Sequence, residues 1–195
     1  MIVNAQFETD LLYARRLPGD IGWTWTLASR LGHILRTAQE LYGPRDPNYT
    51  ILGVEFGGDI PQLWYPGDCG HVVVQINPAC ATDMNRACFQ MAHEAIHLLS
   101  PSGGPSTIVL DEGLATHFSI RYMREHLNSV WSPDVESYRS ACGLTEQLLA
   151  LDSGIIRTIR RRQPSLPRVT PDEIRTARPD VSHELAVAVT QVFQR

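Results

Sequence analysis

Five consecutive residues, His93-Glu94-Ala95-Ile96-His97, carry the strongest chemical signal in the chain. On a helix, residues four apart lie on one face a turn apart, so both imidazoles can reach a single cation. Neutral imidazole is a borderline donor suited to zinc. Glu94, next to the first histidine, can meet a water on that cation without ligating it and act as its base. With seven histidines in the chain, chance placement would give this spacing on the order of one time in a hundred. The pentapeptide alone therefore does not make a site.

A catalytic zinc site needs a third protein ligand and an open position. The segment Leu110-Asp111-Glu112-Gly113-Leu114-Ala115 offers carboxylates at the start of a second helix, with Glu112 fifteen residues after His97. Ser100–Pro105, rich in glycine and proline, is a loop that lets the chain reverse and lay the second helix on the first. Gly113 and Ala115 are small and are expected to permit that close approach. His93, His97 and Glu112 are thus the candidate metal ligands and Glu94 the candidate catalytic base.

His93-Glu94-x-x-His97 followed by Asp111-Glu112-Gly113-Leu114-Ala115 resembles the gluzincin metallopeptidases, over roughly a fifth of the chain. The resemblance implies zinc as cofactor, Glu112 as third ligand in preference to Asp111, and hydrolysis of peptide bonds. It also implies a sheet whose edge strand pairs with an extended substrate, for which His71–Ile76 is the candidate. The interval from His97 to Glu112 is shorter than in thermolysin-like enzymes, and the chain is much smaller. Where those enzymes place an aspartate four residues after the third ligand, this chain has Thr116; Asp111 or a backbone carbonyl is left to orient a histidine. A third histidine of the metzincin kind would fall on Gly103. Tyr122, His126, Tyr138 and His183 are the candidates for an oxyanion donor, with Tyr122 nearest in sequence. His117, five residues beyond Glu112, points away around the helix and reads as structural or exposed. His33 and His71 have no partner pattern. For an aminopeptidase, Glu55, Asp59 and Asp68 are candidates to hold the substrate amine.

The elements that must position these residues follow from periodicity. Leu27, Leu31, Ile34, Leu35, Ala38 and Leu41 recur at helical spacing within 25–42, and Gly43-Pro44 stops the run. Extended segments follow at 49–56, 62–65 and 71–76. Their short connections predict a small, mostly antiparallel sheet. Helices are expected from Thr82 or Asp83 to Leu99, over 110–127, from Ser132-Pro133-Asp134 to Leu151, over 155–162, and over 182–193. The fold class is α+β with a largely helical C-terminal part, and the resemblance implies a zincin-like arrangement around an active-site helix. One domain is expected: sheet and metal-site helices over about 45–127, a helical remainder over about 132–195.

Composition sets the outer limits. The chain has 195 residues, 43% apolar and 19% charged, with net charge −4, an ordinary globular balance. Nucleic-acid binders are usually basic, so none is expected as a partner. The run Arg157, Arg160, Arg161 and Arg162 reads as a solvated helix face. No apolar stretch is long enough to span a bilayer and no secretory signal is visible, so the expected setting is cytoplasmic, with reduced thiols at Cys69, Cys80, Cys88 and Cys142. Spacing leaves a Cys69–Cys80 bridge open; Cys88 reads as a small buried side chain. The functional expectation is a zinc-dependent hydrolase acting on a peptide or protein. Its alternative is a metal-bearing regulatory or partner-binding protein with a vestigial or single-substrate site.

Overall fold

The structure is a computed structural model that describes residues 13–67, 70–104 and 106–195. Helix α1, Leu27–Tyr42, opens on a reciprocal cap between Thr26 and Ser29 and buries the predicted stripe from Leu27 to Ala38. It ends at Gly43, whose positive φ of 96° lets its N–H return to Gln39 O. Three strands follow: β1 Thr50–Phe56, β2 Gln62–Trp64 and β3 His71–Ile76. Helix α2, Met84–His97, starts on the side-chain cap of Asp83. The chain then turns into α3, Val109–Leu127, closed by the left-handed Asn128. Helices α4, Glu136–Leu151, α5, Ile155–Arg160, α6, Pro171–Ala177, and α7, His183–Thr190, complete the chain.

The molecule is α+β with a three-stranded mixed sheet, not a mostly antiparallel one. Strand order is β1-β3-β2; β3 runs parallel to β1 and antiparallel to β2. Short connections suggested antiparallel neighbours, but β2 crosses to the far side and β3 returns between the two. Position also removes His71–Ile76 as the substrate edge. Val72, Val73, Val74 and Ile76 are all buried, as expected of a strand covered on both faces. Of the two edges, β1 packs on α1 and β2 borders a cleft.

One hydrophobic cluster joins the buried faces of α1 and β3 to all the helices after them. Helix α3 lies at its centre, packed against α2, α4 and α7, and it is buried on most of its circumference. Helix α6 was not expected from the sequence. The chain after Thr190 is extended, where helix was expected to run on to Phe193. Val192 bridges Ile108, and Phe193 N–H donates to Thr107 O at 2.9 Å, strapping the C-terminal residues beside the entry to α3.

The arginine run is not a uniformly solvated face. Arg160 is only 6% exposed. Its guanidinium donates to Tyr42 O, Gly43 O, Pro44 O, Leu99 O and Pro164 O at 2.9–3.3 Å. It therefore satisfies carbonyls at the end of α1 and just beyond α2 that would otherwise be buried without donors. Each orphaned buried carbonyl costs about 1–3 kcal/mol. Arg160→Leu should therefore lower the unfolding free energy by about 3 kcal/mol or more in urea titration, whereas Arg161→Leu, an exposed neighbour, should change it by less than about 0.5 kcal/mol.

Candidate metal centre

His93 and His97 occupy the last two turns of α2, and Asp111 and Glu112 the first turn of α3. The dipoles of both helix ends favour this arrangement, cation-forming groups at a C-terminus and carboxylates at an N-terminus. The turn between the helices brings the two ends together.

The donors of His93, Glu94 and His97 lie within 4.8 Å of one another, a group that can bind a metal ion. Glu112 approaches both rings. Its Oε2 is 3.0 Å from His93 Nε2, and its Oε1 is 3.7 Å from His97 Nε2. The other nitrogen of His97, Nδ1, is 3.0 Å from Asp111 Oδ2. That carboxylate oxygen also accepts the Thr107 hydroxyl at 2.7 Å. Asp111 is therefore placed to orient His97 with Nε2 facing His93 and Glu112. Where Thr116 left the orienting group open, its buried hydroxyl has no partner among the described residues, and Asp111 is the residue on His97.

The electrostatics are those of a buried site rich in negative charge. Glu94 and Asp111 are 3% and 2% exposed. Burial raises the Glu94 carboxyl above its usual range, against the pull of His97 and His93. Burial would lower His97, but Asp111 and Glu112 together hold it up, at about 10. Burial would likewise raise Glu112, and the two histidines bring it down to about 2. Two imidazoles and three carboxylates thus share a pocket that demands positive charge, and the donor set of nitrogen and oxygen atoms fits a borderline divalent cation.

The group opens into a cleft of about 750 Å³ lined by β2, α2, α3, the start of α4 and the C-terminal residues. Its aromatic walls include Phe89 stacked on Trp131, with ring centroids 5.2 Å apart. Tyr138 lies in the cleft with its ring 5.8 Å from that of His93. Tyr65 also lines the cleft, its hydroxyl accepting Gly103 N–H at 3.2 Å. Burial raises both phenols above their usual range.

Several sequence candidates lie elsewhere. Tyr122 hydroxyl is 2.7 Å from His33 Nδ1, and its ring packs on His126, away from the cleft. That leaves Tyr138 as the one of the four oxyanion candidates that lines the cleft; His183 is exposed at the start of α7. Neither Glu55 nor Asp59 lines it, and Asp68 lies outside the described residues, as does Cys69. Cys80, Cys88 and Cys142 are free, buried thiols. Tyr65, Thr107 and the strap at 192–195 were missed by the sequence reading, since no local spacing ties them to the pentapeptide.

Gly113 has a different function from the one its small size suggested. A Cβ there would fall 2.2 Å from Thr145 Oγ1 and 2.3 Å from Ala141 O, both on α4 rather than α2. No protein-family model matches the chain, and no curated protein or solved structure shows significant similarity to it.

Two outcomes follow from this geometry. Asp111→Asn should weaken divalent-metal binding about 10–100-fold in a chelator competition, because the His97 ring loses the anion that orients it. Gly113→Ala should cost about 1–3 kcal/mol of stability in urea titration by overpacking the α3–α4 contact, even though alanine is the better helix former.

Proposed function

We propose that the protein is a zinc-dependent hydrolase that cleaves peptide bonds, a compact relative in kind of the gluzincin peptidases. The observation that carries this reading is the grouping of the buried Glu94 with His93 and His97, with the Glu112 carboxylate 3.0 and 3.7 Å from their two Nε2 atoms, on the wall of an open cleft. His93, His97 and Glu112 would hold the metal. When bound, zinc supplies a Lewis acid for the scissile carbonyl and lowers the pKa of water to roughly 7.

The residues around it divide the remaining work. Glu94 accepts a proton from the attacking water and returns it to the departing amine. Asp111 keeps His97 in the tautomer that presents Nε2 to the metal. Tyr138 is the cleft-facing donor available to the developing oxyanion. An extended peptide is the favoured substrate because β2, whose partner is β3 alone among the described residues, borders the cleft through Gln62 and Leu63. Its outer backbone groups can pair with a further strand.

Glu94→Gln should retain the metal, measured by elemental analysis of purified protein, while hydrolysis of a peptide library falls about 10²–10⁴-fold. Retained turnover would remove Glu94 as the base. Tyr138→Phe should lower kcat about 10²-fold with little change in KM if the phenol acts on the oxyanion. A wild-type protein that holds metal yet leaves the library uncut would favour the alternative, a binding or regulatory protein.

A further inference from the structure

On the far side of α3 from the cleft-facing Glu112, a second group of donors converges. Cys142 and Glu146 stand one turn apart on α4, and His117 faces them from α3. His117 Nδ1 lies 3.3 Å from Glu146 Oε1, and Cys142 Sγ lies 3.7 Å from the same oxygen. All three donors fall within 4.8 Å of one another. Zinc bonded to nitrogen and oxygen at about 2.1 Å and to sulfur at about 2.3 Å sets donor–donor separations of roughly 3.4–3.6 Å in a tetrahedron. The two separations that involve Glu146, 3.3 and 3.7 Å, are close to those edges.

The surroundings suit a metal better than they suit a plain hydrogen-bonded cluster. A thiol is a weak donor to a carboxylate. Cys142 is buried, but the side chains of His117 and Glu146 are 23% and 56% exposed. An ion can enter from solvent, and water can fill a fourth position. One thiolate and one carboxylate would neutralise a divalent cation.

We propose that His117, Cys142 and Glu146 form a second metal site, selective for zinc and similar thiophilic divalent ions, that clamps α3 to α4. Its place in the fold gives the clamp a consequence. His117 is one turn beyond Gly113, and Cys142 and Glu146 directly follow the two α4 residues, Ala141 and Thr145, that Gly113 touches. Glu112 on α3 and Tyr138 on α4, one turn before Cys142, both line the cleft. An ion here fixes the spacing between the helices that carry both.

The test is metal titration of chelator-stripped protein. Wild type should bind two equivalents of Zn²⁺, and Co²⁺ should give a sulfur-to-cobalt charge-transfer band in the near ultraviolet. Cys142→Ser should lose that band and one equivalent. The double substitution His93→Ala with His97→Ala should keep the band, so failure of the first site and failure of this one are separable. Glu146 is largely exposed, so Glu146→Gln is the variant expected to fold in any case; it should raise the Kd of the band titration by about tenfold or more. The proposal is overturned if wild type shows no such band, if Cys142→Ser retains it, or if Glu146→Gln leaves the Kd unchanged.

Discussion

The candidate metal centre depends on an electrostatic constraint: three carboxylates, Glu94, Asp111 and Glu112, are drawn out of bulk water, and two imidazoles face them. Burying one unpaired carboxylate costs several kcal/mol, so this cluster persists only where positive charge is concentrated on it. The ends of α2 and α3 supply part of that balance through their dipoles, and the imidazoles supply more by taking protons. A divalent ion placed between the Nε2 atoms and Glu112 answers the same demand. A proton on His97 and such an ion would compete for the same position.

That cluster requires α2 to stop where it does and α3 to begin beside it. Helix α2 ends at His97, so the last imidazole projects toward the returning chain rather than along a continuing helix. Arg160 fixes the next residues by donating to Leu99 O while binding the end of α1. On the other side, the strap at 191–193 pairs with 107–109 and holds the start of α3, where Thr107 reaches Asp111. The helical remainder of the chain is thus more than a cover: α5 supplies the arginine, α4 receives Gly113, and the segment after α7 ties down the entry to α3.

The legible parts of the sequence were those whose signal is local. Helical periodicity located α1, α2 and α3 to within a few residues, and the i, i+4 histidines landed on one face as their spacing required. Glu112 was singled out by its place at a helix start after a reversing loop together with the family resemblance, and the structure brings it beside both histidines. Sheet order was not legible, because β2 and β3 carry similar short apolar runs and only the packing decides which lies in the middle. Helix α6 carried a readable Thr170-Pro171-Asp172-Glu173 cap, which Pro164 and Pro167 obscured. Arg160 could not be told from Arg161 without knowing which carbonyls lay near. Nearness in sequence pointed to Tyr122 ahead of Tyr138; only the third dimension put Tyr138 in the cleft and Tyr122 against His33.

Helix α3 explains why these separate facts form one system. It carries Glu112 on the side facing α2 and the cleft, Gly113 against α4, and His117 toward Cys142 and Glu146. Because it is enclosed on most sides, it cannot shift to accommodate a change on one side without moving the groups on the others. A methyl group at Gly113 would meet backbone at Ala141, so the contact resists compression; opening it would have to separate His117 from Glu146. The position of Glu112 relative to the two histidines is consequently set as much by the α3–α4 contact as by the α2–α3 turn. The local sequence around the pentapeptide specifies the donors, and the distant residues of α4 specify where the third one stands.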